Sequence, residues 1–154
     1  MASKDKKFVK TKSDITGNKV PKNIEDPDSY LKKTPVWVFK RCDREHEKWS
    51  LNKCDNFYED ILDKLISFES MTWSEIMSAA GGRTSGTNSH FELISEMVKE
   101  AQRRAMELKL DVDQLFSLRL EGKKRLYGII DNGKFYIVWY TSDHDIYLSN
   151  KKHT

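Results

Sequence analysis

Apolar positions recur along this chain in three patterns, and each pattern marks a kind of element. Val36-Trp37-Val38-Phe39 is a continuous β-branched and aromatic run directly after Pro35, which predicts a strand. Beyond Asp55, a candidate N-cap, Phe57, Tyr58, Ile61, Leu62, Leu65, Ile66 and Phe68 fall at helical intervals. Thr72-Trp73-Ser74-Glu75 has the form of a capping box and predicts a short helix ending at Gly81-Gly82. Ser89-His90-Phe91-Glu92 has the same form. It predicts the longest helix, with Phe91, Ile94, Val98, Ala101, Ala105 and Leu108 on one buried stripe. After Asp111 and Asp113 the period drops to two. Three strands follow, over Phe116 to Leu120, Arg125 to Ile130 and Phe135 to Tyr140.

The expected fold is therefore α+β, in the order β-α-α-α-β-β-β, with an antiparallel sheet of three to four strands packed against helices. Asn132-Gly133 predicts a two-residue hairpin turn, because both central residues of a type I′ turn need positive φ. That turn pairs Asp131 with Lys134, Ile130 with Phe135, Gly128 with Ile137 and Leu126 with Trp139. A three-residue loop at Gly122-Lys123-Lys124 pairs Leu120 with Leu126, Leu118 with Gly128, and Arg119 with Tyr127. One face then carries Phe116, Leu118, Leu120, Leu126, Ile130, Phe135, Ile137 and Trp139, and the long helix is expected to lie on it. The opposite face carries Arg119, Glu121, Arg125, Tyr127, Tyr136 and Tyr140. A one-residue slip would exchange the two faces.

Composition narrows the class. The 154 residues carry a net charge of +3, 38% hydrophobic and 33% charged residues, enough for one modest domain. No apolar run reaches the roughly 20 residues of a membrane helix, and the first residues lack the apolar stretch of a secretory signal. Two cysteines make no disulfide framework, so a cytoplasmic location is expected. Charge is uneven. Residues 1–33 hold nine lysines against five acids, 34–118 hold eleven basic residues against fifteen acids, and 119–154 hold seven against four. The first stretch reads as a flexible Lys-rich arm and 34–154 as a single α+β domain. A basic site has to lie in the arm or in the last segment.

Arginines among tyrosines on a sheet suit single-stranded RNA, since guanidinium groups meet phosphates while rings stack on bases. Lys123 and Lys124 extend that basic surface. An ordinary solvated face with a Glu121–Arg125 ion pair is the competing reading. Asp143-His144-Asp145, with Tyr147 beyond, follows the last strand. A histidine between carboxylates suits proton transfer, with its pKa raised, and a polar turn accounts for the same residues. Cys42, His46 and Cys54 match no standard zinc spacing and read as reduced thiols. Gly81 to Gly86 is glycine-rich but lacks the Lys-Ser/Thr of a phosphate-binding loop, and His90 reads as structural. No metal or cofactor is expected.

Leu115-Phe116-Ser117-Leu118-Arg119-Leu120, Lys124-Arg125-Leu126-Tyr127-Gly128 and Phe135-Tyr136-Ile137-Val138-Trp139-Tyr140, preceded by a strand and helices, resemble the RelE/ParE toxin-like fold. The likeness spans about residues 36–148 and rests on short motifs; the third helix, the glycine loop and the Lys-rich arm depart from the pattern. The resemblance implies an extended sheet backed by helices. RelE-like members cleave messenger RNA on the ribosome, and ParE-like members bind a topoisomerase. On the RelE side, Arg119 and Arg125 match the strand arginines, and His144 or Tyr147 the C-terminal position. The implied activity is RNA binding with metal-independent endoribonuclease chemistry, and the implied partners are RNA or the ribosome and an antitoxin. The chain is also similar to small bacterial and mobile-element proteins ending in a tryptophan strand, an acidic-His segment and Lys-Lys-His-Thr. A non-enzymatic module that meets a protein through its sheet face or a helix is the alternative function.

Overall fold

The computed structural model describes residues 26–79 and 88–148. Strands β1 (Val36–Val38), β2 (His90–Leu93), β3 (Gln114–Arg119), β4 (Arg125–Asp131) and β5 (Lys134–Thr141) form one sheet in the order β1-β5-β4-β3-β2. Helices α1 (Asp63–Phe68), α2 (Trp73–Ser78) and α3 (Lys99–Glu107) complete an α+β domain. Two pairings enlarge the sheet beyond the expected three to four strands. β1 lies parallel to β5, with Trp37 opposite Phe135, so the sheet is mixed rather than purely antiparallel. β2 lies antiparallel to β3, with Phe91 opposite Phe116.

The strand β2 corrects the expected long helix. His90–Leu93 alternates an inward Glu92 with an outward Phe91 and Leu93, and pairing with β3 outweighs the capping-box signal. The helix starts nine residues later than expected, at Lys99, and buries Ala101 and Ala105. The other capping box forms as expected. Glu75 N–H donates to Thr72 Oγ1 at 3.2 Å and Thr72 N–H to Glu75 Oε2 at 2.8 Å. The apolar repeat after Asp55 is helical too, as a π-helical turn over Tyr58–Leu62 running into α1. The expected end of the second helix at Gly81-Gly82 lies outside the described residues, as does the whole glycine-rich segment.

The Asn132-Gly133 turn has both residues at positive φ, 49° and 84°, and the register from Asp131↔Lys134 to Gly128↔Ile137 follows the expectation. There a β-bulge intervenes. Tyr127 pairs with Trp139, Leu126 with Tyr140 and Arg125 with Thr141, one residue beyond a regular ladder. The bulge turns Tyr140 toward the face that holds Phe135 and Ile137, and Trp139 toward the other. Between β3 and β4 the pairs are Leu118↔Leu126 and Arg119↔Arg125, two residues from the expected register but with the same faces. The turn is Glu121-Gly122-Lys123, closed by Leu120 N–H to Lys124 O at 3.0 Å, with Gly122 at φ 56°.

Both sheet faces are covered. On one, Ile61, Leu65, Trp73 and Ile76 from α1, α2 and the π turn pack against Phe116, Leu118, Leu126, Phe135, Ile137 and Tyr140. On the other, Ala101 and Ala105 of α3 pack with Trp49, Leu115, Tyr127, Val138, Trp139 and Ile146. The long helix thus lies opposite to its expected side. At about 1.5–3 kcal/mol for each large side chain buried, these layers carry the stability. Gly128 sits where a Cβ would lie 2.3 Å from Tyr136 O and 2.7 Å from the Phe135 ring, so no larger residue fits without displacement. Packing begins before residue 34. Tyr30 and Leu31 join the first core, and Lys33 O accepts from Trp73 N–H at 3.0 Å. No helix among the described residues is long and apolar enough to cross a membrane.

Candidate active site

Polar side chains gather toward the Arg119–Arg125 end of the side of the sheet that α3 packs on. Alternation places Ser117 and Arg119 of β3, Arg125 and Tyr127 of β4, and His90 and Glu92 of β2 on this one side. The pairs Arg119↔Arg125, Ser117↔Tyr127 and His90↔Ser117 set them in adjacent rows. Arg125 is only 7% exposed, and its Nη1 donates to Gly122 O at 2.7 Å and Lys124 O at 2.9 Å. Burial and the facing Arg119 push its pKa down, while Glu92 and Tyr127 oppose that shift. Arg119 N–H donates to Ser89 Oγ at 2.9 Å, which ties β3 to the start of β2.

Glu92 is 4% exposed, and its Oε1 lies 3.2 Å from His90 Nε2. That ion pair raises the His90 pKa above its ordinary value, against the opposing effect of burial; the other ring nitrogen meets Asn88 O. His144 moves the other way. Burial first and Arg125 second lower its pKa, and His90 adds to the fall, so the rise expected from its flanking carboxylates does not occur. Asp145 is instead committed elsewhere, accepting from Trp49 Nε1 at 3.0 Å and from Thr141 Oγ1. Those bonds, the buried Ile146 and a Val98 N–H to Ile146 O bond of 3.0 Å hold the segment against the sheet. His144 itself takes a left-handed φ of 55°, uncommon for a residue with a side chain of this size.

Arg119 and Arg125 are brought together across β3 and β4, with His144 near enough to Arg125 to feel its charge. The other expected site residues are not. Tyr127 is fully buried beneath α3, its hydroxyl pKa driven up by burial and by Glu92, so its ring is closed to a base. Tyr140 faces the opposite core, where burial and a hydrogen bond to Cys54 raise its pKa. Tyr147 donates to Glu96 Oε2 at 3.0 Å. Lys124 is paired with Asp60 at 2.8 Å, and Lys123 is half-way around the exposed turn. Tyr136 shares the arginine side of the sheet but lies at its far end, beneath Lys40 and Arg41.

His90, Glu92 and Ser117 were missed by sequence reasoning. The missed signal was the alternation through His90-Phe91-Glu92-Leu93, which a capping-box reading hides. Glu92 Oε1 and Oε2, Ser117 Oγ and Tyr127 Oη are buried with no well-aligned hydrogen-bond partner, as is Trp37 Nε1 in the opposite core. Such groups are rare in a fold, and a catalytic role is one reason for keeping them. Among the described residues no three His, Cys, Asp or Glu side chains are grouped to hold a metal ion. The two cysteines are free thiols, with burial pushing Cys42 up to about 11. Compared with known families, curated proteins and solved structures, the chain finds no match.

Proposed function

We propose that this chain is a RelE/ParE-like, toxin-type protein of the cytoplasm that binds RNA and cleaves it without a metal. The observation that carries the reading is geometric: alternation sets Arg119, Arg125 and His90 on one side of the sheet, and His144 lies near enough to Arg125 and His90 for their charges to act on it. Glu92 raises His90, while burial and Arg125 lower His144. Opposed shifts of this kind separate an acid from a base.

His144 removes the proton from a ribose 2′-hydroxyl as its oxygen attacks the adjacent phosphorus. His90 gives its proton to the departing 5′-oxygen, and the P–O5′ bond breaks to leave a 2′,3′-cyclic phosphate. Arg119 binds the phosphate and stabilises the charge that grows on its oxygens, while the buried Arg125 adds its positive charge to the site and holds His144 down. Glu92 positions His90 and favours its charged form. RNA, free or on the ribosome, is the substrate class, and an antitoxin is the protein partner that such an activity calls for.

The test is direct. Incubate purified full-length protein with a labelled RNA in EDTA, then map the product ends. Wild type yields 2′,3′-cyclic phosphate termini, and His144→Ala and Arg119→Ala/Arg125→Ala lose at least a hundredfold in rate. An unreactive wild type that is folded, and harmless when induced in cells, would transfer the protein to the non-enzymatic binding class.

A further inference from the structure

A second opening lies at the other end of the same sheet side, past α3. Lys40 and Arg41 follow β1 and reach over the Tyr136 ring, with Lys40 Nζ 5.5 Å and the Arg41 guanidinium carbon 5.9 Å from its centroid. Both cations are exposed, and among the described residues neither is paired with a carboxylate. Beneath them runs an open groove of about 690 Å³ walled by Leu110, Val112 and Ile129, with Asp111 and Asp131 at its rim. Asp111 adopts a left-handed φ of 53°, held in the tight connection between α3 and β3.

We infer that this groove binds a nucleotide unit, its phosphate on Lys40 and Arg41 and its base against the Leu110–Val112–Ile129 wall. Tyr136 acts as the platform that holds the two cations side by side. The rim carboxylates accept from amine or hydroxyl donors of base and sugar, and they repel a purely anionic ligand such as an acidic peptide. The choice of ligand rests on the RNA reading above, but the groove is separate from the histidines. Arg125 and Ile129 stand four residues apart on β4, roughly 14 Å at the rise of an antiparallel strand. Cleavage and this binding are therefore separable.

The experiment is fluorescence anisotropy of the full chain with a fluorescein-labelled 2′-fluoro oligoribonucleotide, which lacks the attacking hydroxyl, across 50–200 mM salt. Lys40→Ala/Arg41→Ala is expected to weaken binding at least tenfold and to reduce the log–log salt slope by about 0.7, the share of the one phosphate that is no longer neutralised. Tyr136→Phe keeps the ring and binds as wild type, whereas Tyr136→Leu weakens binding. Competition by adenosine monophosphate assigns the groove to free nucleotides, and competition by unlabelled strand alone assigns it to RNA. Undiminished binding by the double variant, an unchanged salt slope, or equal displacement by polyglutamate overturns the proposal. A chain that binds in this way but never cleaves leaves the groove standing and removes the catalytic reading.

Discussion

Asp43 is the residue whose loss should most change the fold beneath the candidate site. Its carboxylate is buried and accepts from Arg104 Nε and Nη2, both at 2.8 Å, and from Trp139 Nε1 at 3.0 Å. The backbone N–H groups of Glu45 and His46 add two longer bonds of 3.2 Å. These contacts join the segment after β1 to α3 and to the bulged end of β5, and they hold the carboxyl well below the usual carboxylate range despite burial. Asp43→Ala leaves a guanidinium and an indole N–H without their acceptor. Breaking a buried pair costs about 3–5 kcal/mol, and the Arg104 side chain is 19% exposed, so about 3 kcal/mol is expected. With a urea m-value of about 1–3 kcal/mol/M, the midpoint falls by roughly 1–3 M at unchanged m. Because the folded-state pKa is depressed, the carboxylate's contribution is complete above the unfolded value of about 3.9 and is lost as pH falls toward the folded value. The gap between wild type and Asp43→Ala should therefore narrow between pH 5 and pH 2. A loss under 0.5 kcal/mol at pH 7, or a gap that stays constant with pH, refutes the reasoning.

Three further outcomes are expected. Gly128→Ala forces a Cβ against Tyr136 O and the Phe135 ring and should cost about 3 kcal/mol by denaturant titration, at the upper end for overpacking. Thr72→Ala removes the side-chain cap of α2 and should cost about 1 kcal/mol in thermal unfolding, with Thr72→Ser close to wild type. Glu92→Gln removes a charge that raises both His90 and His144; both limbs of any RNA-cleavage profile should shift to lower pH, the high-pH limb further because Glu92 bonds His90 directly.

Local chemistry made part of this fold legible. Asn132-Gly133 specified its hairpin because only a few residues tolerate positive φ in succession, and the period-two runs specified which side chains of β3 and β4 share a face. The bulge opposite Tyr127 was not legible. Val138 is apolar and suits either core, so nothing in the alternation announced that Trp139 and Tyr140 exchange sides. The parallel addition of β1 and the antiparallel addition of β2 are long-range pairings with no local signature. Ser89 to Glu92 satisfied a helix-start pattern and was taken into the sheet by its partner strand. For the candidate site, the shared side of Arg119 and Arg125 was readable from the alternation, whereas Glu92 and His90 joined that side through the same unread pairing. The tyrosine platform was misjudged because α3 covers the face on which Tyr127 lies.

The most direct measurement is an NMR titration of the imidazole protons in the full chain, with His90→Gln and His144→Gln used for assignment. His90 is expected to titrate above and His144 below the free-imidazole value, and Arg125→Ala to raise His144 toward it. Two histidines titrating together at the ordinary value, indifferent to Arg125, would contradict the division into acid and base on which the proposed cleavage depends.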